Sequence, residues 1–413
     1  MSLLRKKTIA LSLIALTALF NGCNEGNTSS VDTSIAGQLV DSYIQGAHYK
    51  CSDGQEGTTN ENGDFTCDTL PVTFTVNGIK LGEITSLPED KNIFPQDLVG
   101  VERSDVNNSE VLAMAQLLQS LDSDQDPENG ISIDTNLTTN ISEDFNASNL
   151  DTYLSNAEVS KVTQENAYAH LEKTTHTVET IDGLSDNIPS SVLEDDINTP
   201  LSTLTDDIKE HIAYMGNEER LAYDVYNALS VLYPDQQVLI NIPQKSEIQH
   251  LTTVKALVAK YSLDSEVLSV RDVNNSTLSS DSNISSVAGI YDIQVIQDLY
   301  DTLISKGESS EVDALQVGCM VEVTDINDLD ISILAAEESN ATDVVGAFNF
   351  LRDGSYSHYW SFDNSLKNAG VTDGCCSLGD EYCKTEADYP VTDKGNDEKK
   401  GDGSGEQKRK GKQ

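Results

Sequence analysis

The chain has 413 residues, 69 acids against 26 lysines and arginines, a formal net charge of −43 and 38% hydrophobic residues. A field of that sign repels nucleic acid and anionic lipid surfaces, which excludes both as direct partners of the folded surface. The length leaves room for two domains with linkers, and the Ser/Asn/Asp/Thr-rich stretches predict that a good part is irregular.

Residues 1–22 carry Arg5, Lys6 and Lys7, then an apolar run from Ile9 to Phe20, then Asn21-Gly22 before Cys23. A charged start, a short apolar core and a small residue before the cut predict a secretory signal, too short to span a membrane. Its Gly-Cys end resembles a bacterial lipobox, which implies acylation of Cys23 and an outer-membrane lipoprotein facing the periplasm or the exterior. The membrane is then a partner only through the lipid anchor. Six other cysteines remain, and an even number in an oxidising compartment favours disulfides. Cys51 and Cys67 share one small β-rich region and are expected to pair; the partners of Cys319, Cys375, Cys376 and Cys383 stay open.

After a linker over 23–33, residues 34–100 read as a small β-sandwich-like module. Strands are expected at Ile35–Ser42, Gly46–Ser52, Asp64–Asp68 and Val72–Val76, with Asn62-Gly63 and Asn77-Gly78 as hairpin signals, because a tight primed turn needs positive φ. The module resembles the repeats that open many bacterial surface lipoproteins, used as spacers or stalks. His48 stands alone there and reads as a surface residue. Residues 101–173 form a helical extension, with helices at Ser109–Leu121 and Asn166–Lys173 around an acidic loop. In that loop Asp122, Asp124 and Asp126 alternate as the oxygen ligands of a calcium turn do. Pro127 replaces the glycine of an EF-hand and no acid closes the loop, so an EF-hand is excluded and a looser calcium turn is the candidate. Residues 174–200, polar and Pro-containing, read as the interdomain linker.

From Leu201 to about residue 370 the periodicity is helical. Helices are expected at Leu204–Leu232 (broken near Gly216), Gln244–Tyr261, Tyr291–Ser305 (a connector), about 314–329 and Val344–Leu366. The apolar stripe of the first, Ile208, Ile212, Met215, Ala222, Tyr226 and Leu229, also carries Glu219, an acid at a core position. Glu218 falls beside that stripe and is expected to face outward. Glu247 and His250 lead the inner face of the second helix at an i,i+3 step; Glu322 and Asp325 repeat that step in a third; His358 lies in the fourth. Residues three apart share a helix face, so each pair can hold one metal or bridge two. Carboxylates with some imidazole suit iron or manganese, and zinc also fits.

The segments Glu218-Glu219-x-Leu-Ala-x-Asp-Val-Tyr226, Asn241-Ile-x-x-x-Ser-Glu247-x-x-His250, Ala314-Leu-x-Val-Gly-x-x-x-Glu322-x-x-Asp325-Ile-x-Asp-Leu329 and Gly354-Ser-x-x-His358-x-x-x-Phe362 resemble the ferritin-like superfamily and, more closely, the family catalogued as domain of unknown function 2202. The resemblance implies a mainly α chain ending in an antiparallel four-helix bundle. It also implies a diiron-carboxylate centre on Glu219, Glu247, His250, Glu322, Asp325 and His358, with Tyr226 as the candidate catalytic tyrosine. Ser355 departs from the pattern, standing where a Glu would precede His358 by three; Asp325 offers the carboxylate instead. The expected function is an envelope-anchored oxidoreductase in iron oxidation or oxygen and peroxide handling. No Cys-x-x-Cys pair is present, so an external electron donor is required. The alternative is a non-catalytic stalk lipoprotein whose bundle binds metal for structure or not at all. Residues 371–413 read as a Cys-containing end and a charged tail.

Overall fold

Helix dominates the chain, and strands are concentrated at its N-terminal end. The computed structural model describes residues 34–134, 142–263, 270–271, 277–279, 287–291 and 293–391. The signal, Cys23, the 23–33 linker, most of the polar stretch around 272–286 and the tail from 392 onward lie outside the described residues.

In the N-terminal module, β1 (Ile35–Leu39) pairs antiparallel with β5 (Asp64–Cys67) and parallel with β8 (Asn92–Ile93). A two-residue strand β2 (Ile44–Gln45) pairs with β9 (Ile131–Ser132). The larger sheet runs β10-β7-β6-β3-β4, from β3 (His48–Cys51), β4 (Glu56–Thr58), β6 (Val72–Val76), β7 (Ile79–Ile84) and β10 (Glu143–Asp144). Alternation buries Val72, Phe74 and Val76 of β6 beside Leu39 and Phe65, and Phe74 meets Phe65 edge-on at 5.0 Å. Cys51 is bonded to Cys67.

The two Asn-Gly turns part company. Asn77 (φ 48°) and Gly78 (φ 85°) join β6 to β7 as a hairpin. Asn62-Gly63 joins strands of different sheets instead. There the Asn60 side chain accepts from the amides of Asn62 and Asp64, so the turn carries the chain from one sheet to the other. His48 is exposed.

Helices α1 (Pro95–Val99), α2 (Ser109–Ser120) and α3 (Leu150–Ala157) complete the module. Asn108 caps α2 by accepting from Glu110 and Val111 N–H, and Leu117, Leu118 and Leu121 close the core.

The expected linker at 174–200 is largely helix. α4 (Gln164–Ser185) continues through it, capped by Thr163. Its first half puts Ala167 and Leu171 against Val40, Phe94 and Val111 of the module; its second puts Ile181 and Leu184 against the helical domain. After α5 (Ser190–Val192) and a π turn over Leu193–Ile197, the helical domain proper begins.

Three helices of 27 or 28 residues and a shorter one of 13 line the interior of that domain. α6 (Asp206–Leu232) packs on α8 (Ile248–Lys260) and α10 (Glu311–Glu338); α10 packs on α11 (Thr342–Asn368), which returns to α8. α6 is unbroken through Gly216, because the core on both sides holds a residue that costs a free helix about 1 kcal/mol. α7 (Gln237–Ile242) and a π turn over Pro243–Glu247 lead into α8, and α9 (Gln294–Gly307) is the connector. Cys319 joins Cys375, fastening the 374–383 end to α10, and Cys376 joins Cys383 within that end. No helix among the described residues is long and apolar enough to cross a membrane.

Candidate metal centre

The apolar interior of the four helices is not continuous. One cluster holds Ile208, Ile212, Met215, Val254, Leu257, Leu329, Phe348 and Leu351; the other holds Val225, Tyr226, Leu229, Ile326, Tyr359, Phe362 and Leu366. Between them, one turn of each helix contributes Glu219 (α6), Glu247 and His250 (the start of α8), Glu322 and Asp325 (α10) and His358 (α11). All six are buried, with exposures between 0 and 7%.

Glu247 is the centre of the layer. Its Oε1 lies 2.9 Å from His358 Nδ1 and its Oε2 lies 3.3 Å from His250 Nδ1, one oxygen toward each imidazole. Glu219 Oε2 is 3.3 Å from the same His250 nitrogen, and Glu322 Oε2 is 3.5 Å from His358 Nδ1. The two rings tilt against each other at 5.2 Å. On the other side of His250, a Cβ at Gly354 would come within 2.2 Å of Nε2, so only glycine lets the ring sit so deep against α11. That contact leaves Nδ1 as the nitrogen facing the carboxylates.

Glu322 accepts a 2.5 Å hydrogen bond from the Tyr226 hydroxyl through Oε1. Ser355 donates to Asp325 Oδ2 at 2.7 Å. The residue that departs from the expected pattern thus orients the carboxylate that replaces it.

Distances and angles disagree in an informative way. The histidine nitrogens lie close to carboxylate oxygens, yet both Nδ1 atoms, Glu219 Oε1, Glu247 Oε2 and Asp325 Oδ1 have no aligned hydrogen-bond partner. Orphaned polar atoms buried this deeply are costly. Ligands about 2.1 Å from one ion lie roughly 3.0–3.4 Å from one another; two of the four contacts, both 3.3 Å, fall inside that range, and the other two, 2.9 and 3.5 Å, lie just outside it. The ligating atoms of Glu247, His250 and His358 all fall within 4.8 Å of one another. The donor set therefore fits metal better than it fits a network of hydrogen bonds.

Without metal, the same layer must share protons. Burial raises Glu219 to about 7, offset by His250, and raises Asp325 well above the carboxylate range, reinforced by Glu219 and Glu322. Burial also lifts Glu322, with His358 opposing. For Glu247 burial pushes upward too, but His358 and His250 outweigh it and hold the carboxylate below its usual range. Desolvation would lower His358, yet Glu322 and Glu247 overcome it and raise it to about 9; Glu219 and Glu247 raise His250 well above its ordinary value in the same way.

Glu218 does not face outward. It is buried beside Asp328 and Tyr214, and desolvation, then Asp328 and Asp325, raise it well above 4.5. Adjacent helix positions are about 100° apart, and here neighbours on two sides of α6 bury both. The acidic loop lies apart, at the end of α2.

A family model described as an uncharacterized protein domain (DUF2202) matches residues 208–382, a span that contains all six residues of the layer and Tyr226. The chain is 32% identical over 171 residues to Uncharacterized protein MJ0754 of Methanocaldococcus jannaschii, covering 41% of this chain and 81% of that one. The crystal structure of hypothetical protein MJ0754 from Methanococcus jannaschii is similar at 31% identity and a TM-score of 0.34, over 42% of this chain and 86% of that chain. By its matched domain and this relative, the protein belongs to the DUF2202 family.

Proposed function

We propose that the helical domain is a ferritin-like bundle that holds two transition-metal ions, iron for preference, and acts as an oxidoreductase on iron or on oxygen and peroxide. The observation that carries this reading is the Glu247 carboxylate, set with one oxygen toward each of two histidines in a buried layer of misaligned donors. Glu219, His250 and Glu247 would hold one ion; Glu322, His358 and Glu247 the other, with Asp325 kept within reach by Ser355. Iron bound there would supply one-electron chemistry at a dinuclear site. Manganese or zinc would fit the same donors.

The chain's own residues set the conditions. Tyr226 holds Glu322 by a hydrogen bond, and burial with the adjacent carboxylates keeps its phenol protonated. Two apolar clusters exclude bulk water, and the small residual exposure of the layer falls chiefly on Asp325 and His358. Substrates must therefore be of the size of an ion or a small oxidant. All six cysteines of the described residues are tied in disulfides, so electrons would come from an outside donor. Acylation at Cys23 would place the bundle at the cell envelope.

Oxidation of iron(II), added anaerobically and then exposed to air, tests this. The wild-type chain is expected to oxidise it well above the rate in buffer, and Glu219→Ala to fall back to that rate. Equal rates in wild type, variant and buffer would hand the case to a stalk lipoprotein with a structural or empty bundle.

A further inference from the structure

The acidic loop between α2 and β9 holds a second arrangement of carboxylates, remote in sequence from the bundle layer. Asp122, directly after the α2 C-cap, is 3% exposed. Its Oδ1 accepts from Ser132 N–H at 2.9 Å, which fixes the carboxylate, while its buried Oδ2 has no partner. The Asp124 carboxylate faces it closely enough to act on its ionisation. Asp124 itself accepts from Asp126 N–H at 3.0 Å and from the Asn129 side-chain amide at 3.0 Å. Two facing carboxylates, one with an orphaned buried oxygen, make a place for a cation between them.

The bases of this region do not serve the pair. His170 Nδ1 and Lys173 Nζ of α4 are 3.0 and 2.5 Å from the two oxygens of Glu128, in the same loop.

We propose that the 122–129 loop is a divalent-cation site that takes calcium, with Asp122 and Asp124 as its charged ligands. The donors are all oxygens from an irregular loop, which calcium accepts at six to eight positions, whereas magnesium demands a near-ideal octahedron. Bound calcium fixes the loop, and with it the Glu128 clasp on α4, the helix that joins the module to the helical domain.

The test is independent of the bundle. Calcium chloride is titrated calorimetrically into chelator-treated chain lacking residues 1–23, in wild type and in a Glu247→Ala/His250→Ala background that removes the other candidate site. One calcium per chain is expected in both, with magnesium bound at least about tenfold more weakly. Asp122→Asn and Asp124→Asn should each weaken calcium binding by about tenfold or more. Asp124 is exposed, so its variant decides the matter if Asp122→Asn fails to fold. No calcium binding by the wild type at millimolar concentration, or undiminished binding in the Asp124→Asn protein, overturns the proposal. Loss of calcium only in the Glu247→Ala/His250→Ala background also overturns it, since the ion then belongs to the bundle.

Discussion

The module and the helical domain bury their interiors by opposite means. The module closes on a continuous apolar core, Leu39, Phe65, Phe74, Leu117 and Leu121 among it, with the Cys51–Cys67 bond across its strands. The helical domain splits its core in two and inserts a layer of four carboxylates and two imidazoles. Apolar burial stabilises at roughly 25 cal/mol per Å², while buried charges stabilise only when their partners are well placed. A core built the first way is held by packing and its disulfide; one built the second way depends on what sits between the charges.

Packing damage separates the two most sharply. Phe74→Ala should cost the module about 3–5 kcal/mol, because a fully buried ring leaves a cavity. Metal content should not change. Denaturant unfolding together with elemental analysis checks both halves; a loss of metal would mean that the two regions are not separable.

A smaller effect is expected from the hydroxyl that holds Asp325. Ser355→Ala removes its 2.7 Å hydrogen bond without opening the core, and should weaken one ion by roughly 10–100-fold. Competition with a chromophoric chelator reads this directly. Unaltered affinity for both ions would show that Asp325 needs no orienting partner.

The mildest probe is pH. In chelated protein the folded-state values of His358, about 9, and Glu219, about 7, lie above their unfolded ones. Groups shifted upward contribute stability that is fully present below the unfolded value and lost as pH rises through the folded value. The chelated helical domain should therefore melt progressively lower from about pH 4.5 to 9, Glu219 acting over the lower part of that range and His358 over the upper. Metal displaces the same protons, so its affinity should climb across that window. A flat melting profile in chelated protein would contradict the proton-sharing layer.

Much of the layer is legible in the sequence because each acid or histidine interrupts an otherwise apolar helical stripe. Glu219 after Met215, and His250 before Val254 and Leu257, are such interruptions. Glu218 was hidden because a single stripe predicts one buried face, whereas α6 is covered by both α8 and α10. The second half of α4 was hidden for the converse reason. Beyond Thr175 its contacts with the helical domain rest on Ile181 and Leu184 amid polar residues, a stripe too thin to oppose the composition of a linker. Asn62-Gly63 carried the right turn chemistry, but local sequence does not say to which sheet the next strand belongs. The Cys319–Cys375 bond, 56 residues apart, follows only from the return of the 374–383 end onto α10.

The proposed centre holds two ions through a shared Glu247. Metal analysis of the chain lacking residues 1–23, purified after growth with iron and compared with its Glu247→Ala/His250→Ala variant, tests it most directly. Close to two transition-metal ions per chain are expected in the wild type and at most one in the variant, with both proteins folded by circular dichroism. Equal metal content in the two, or none in the wild type after iron loading, would contradict it.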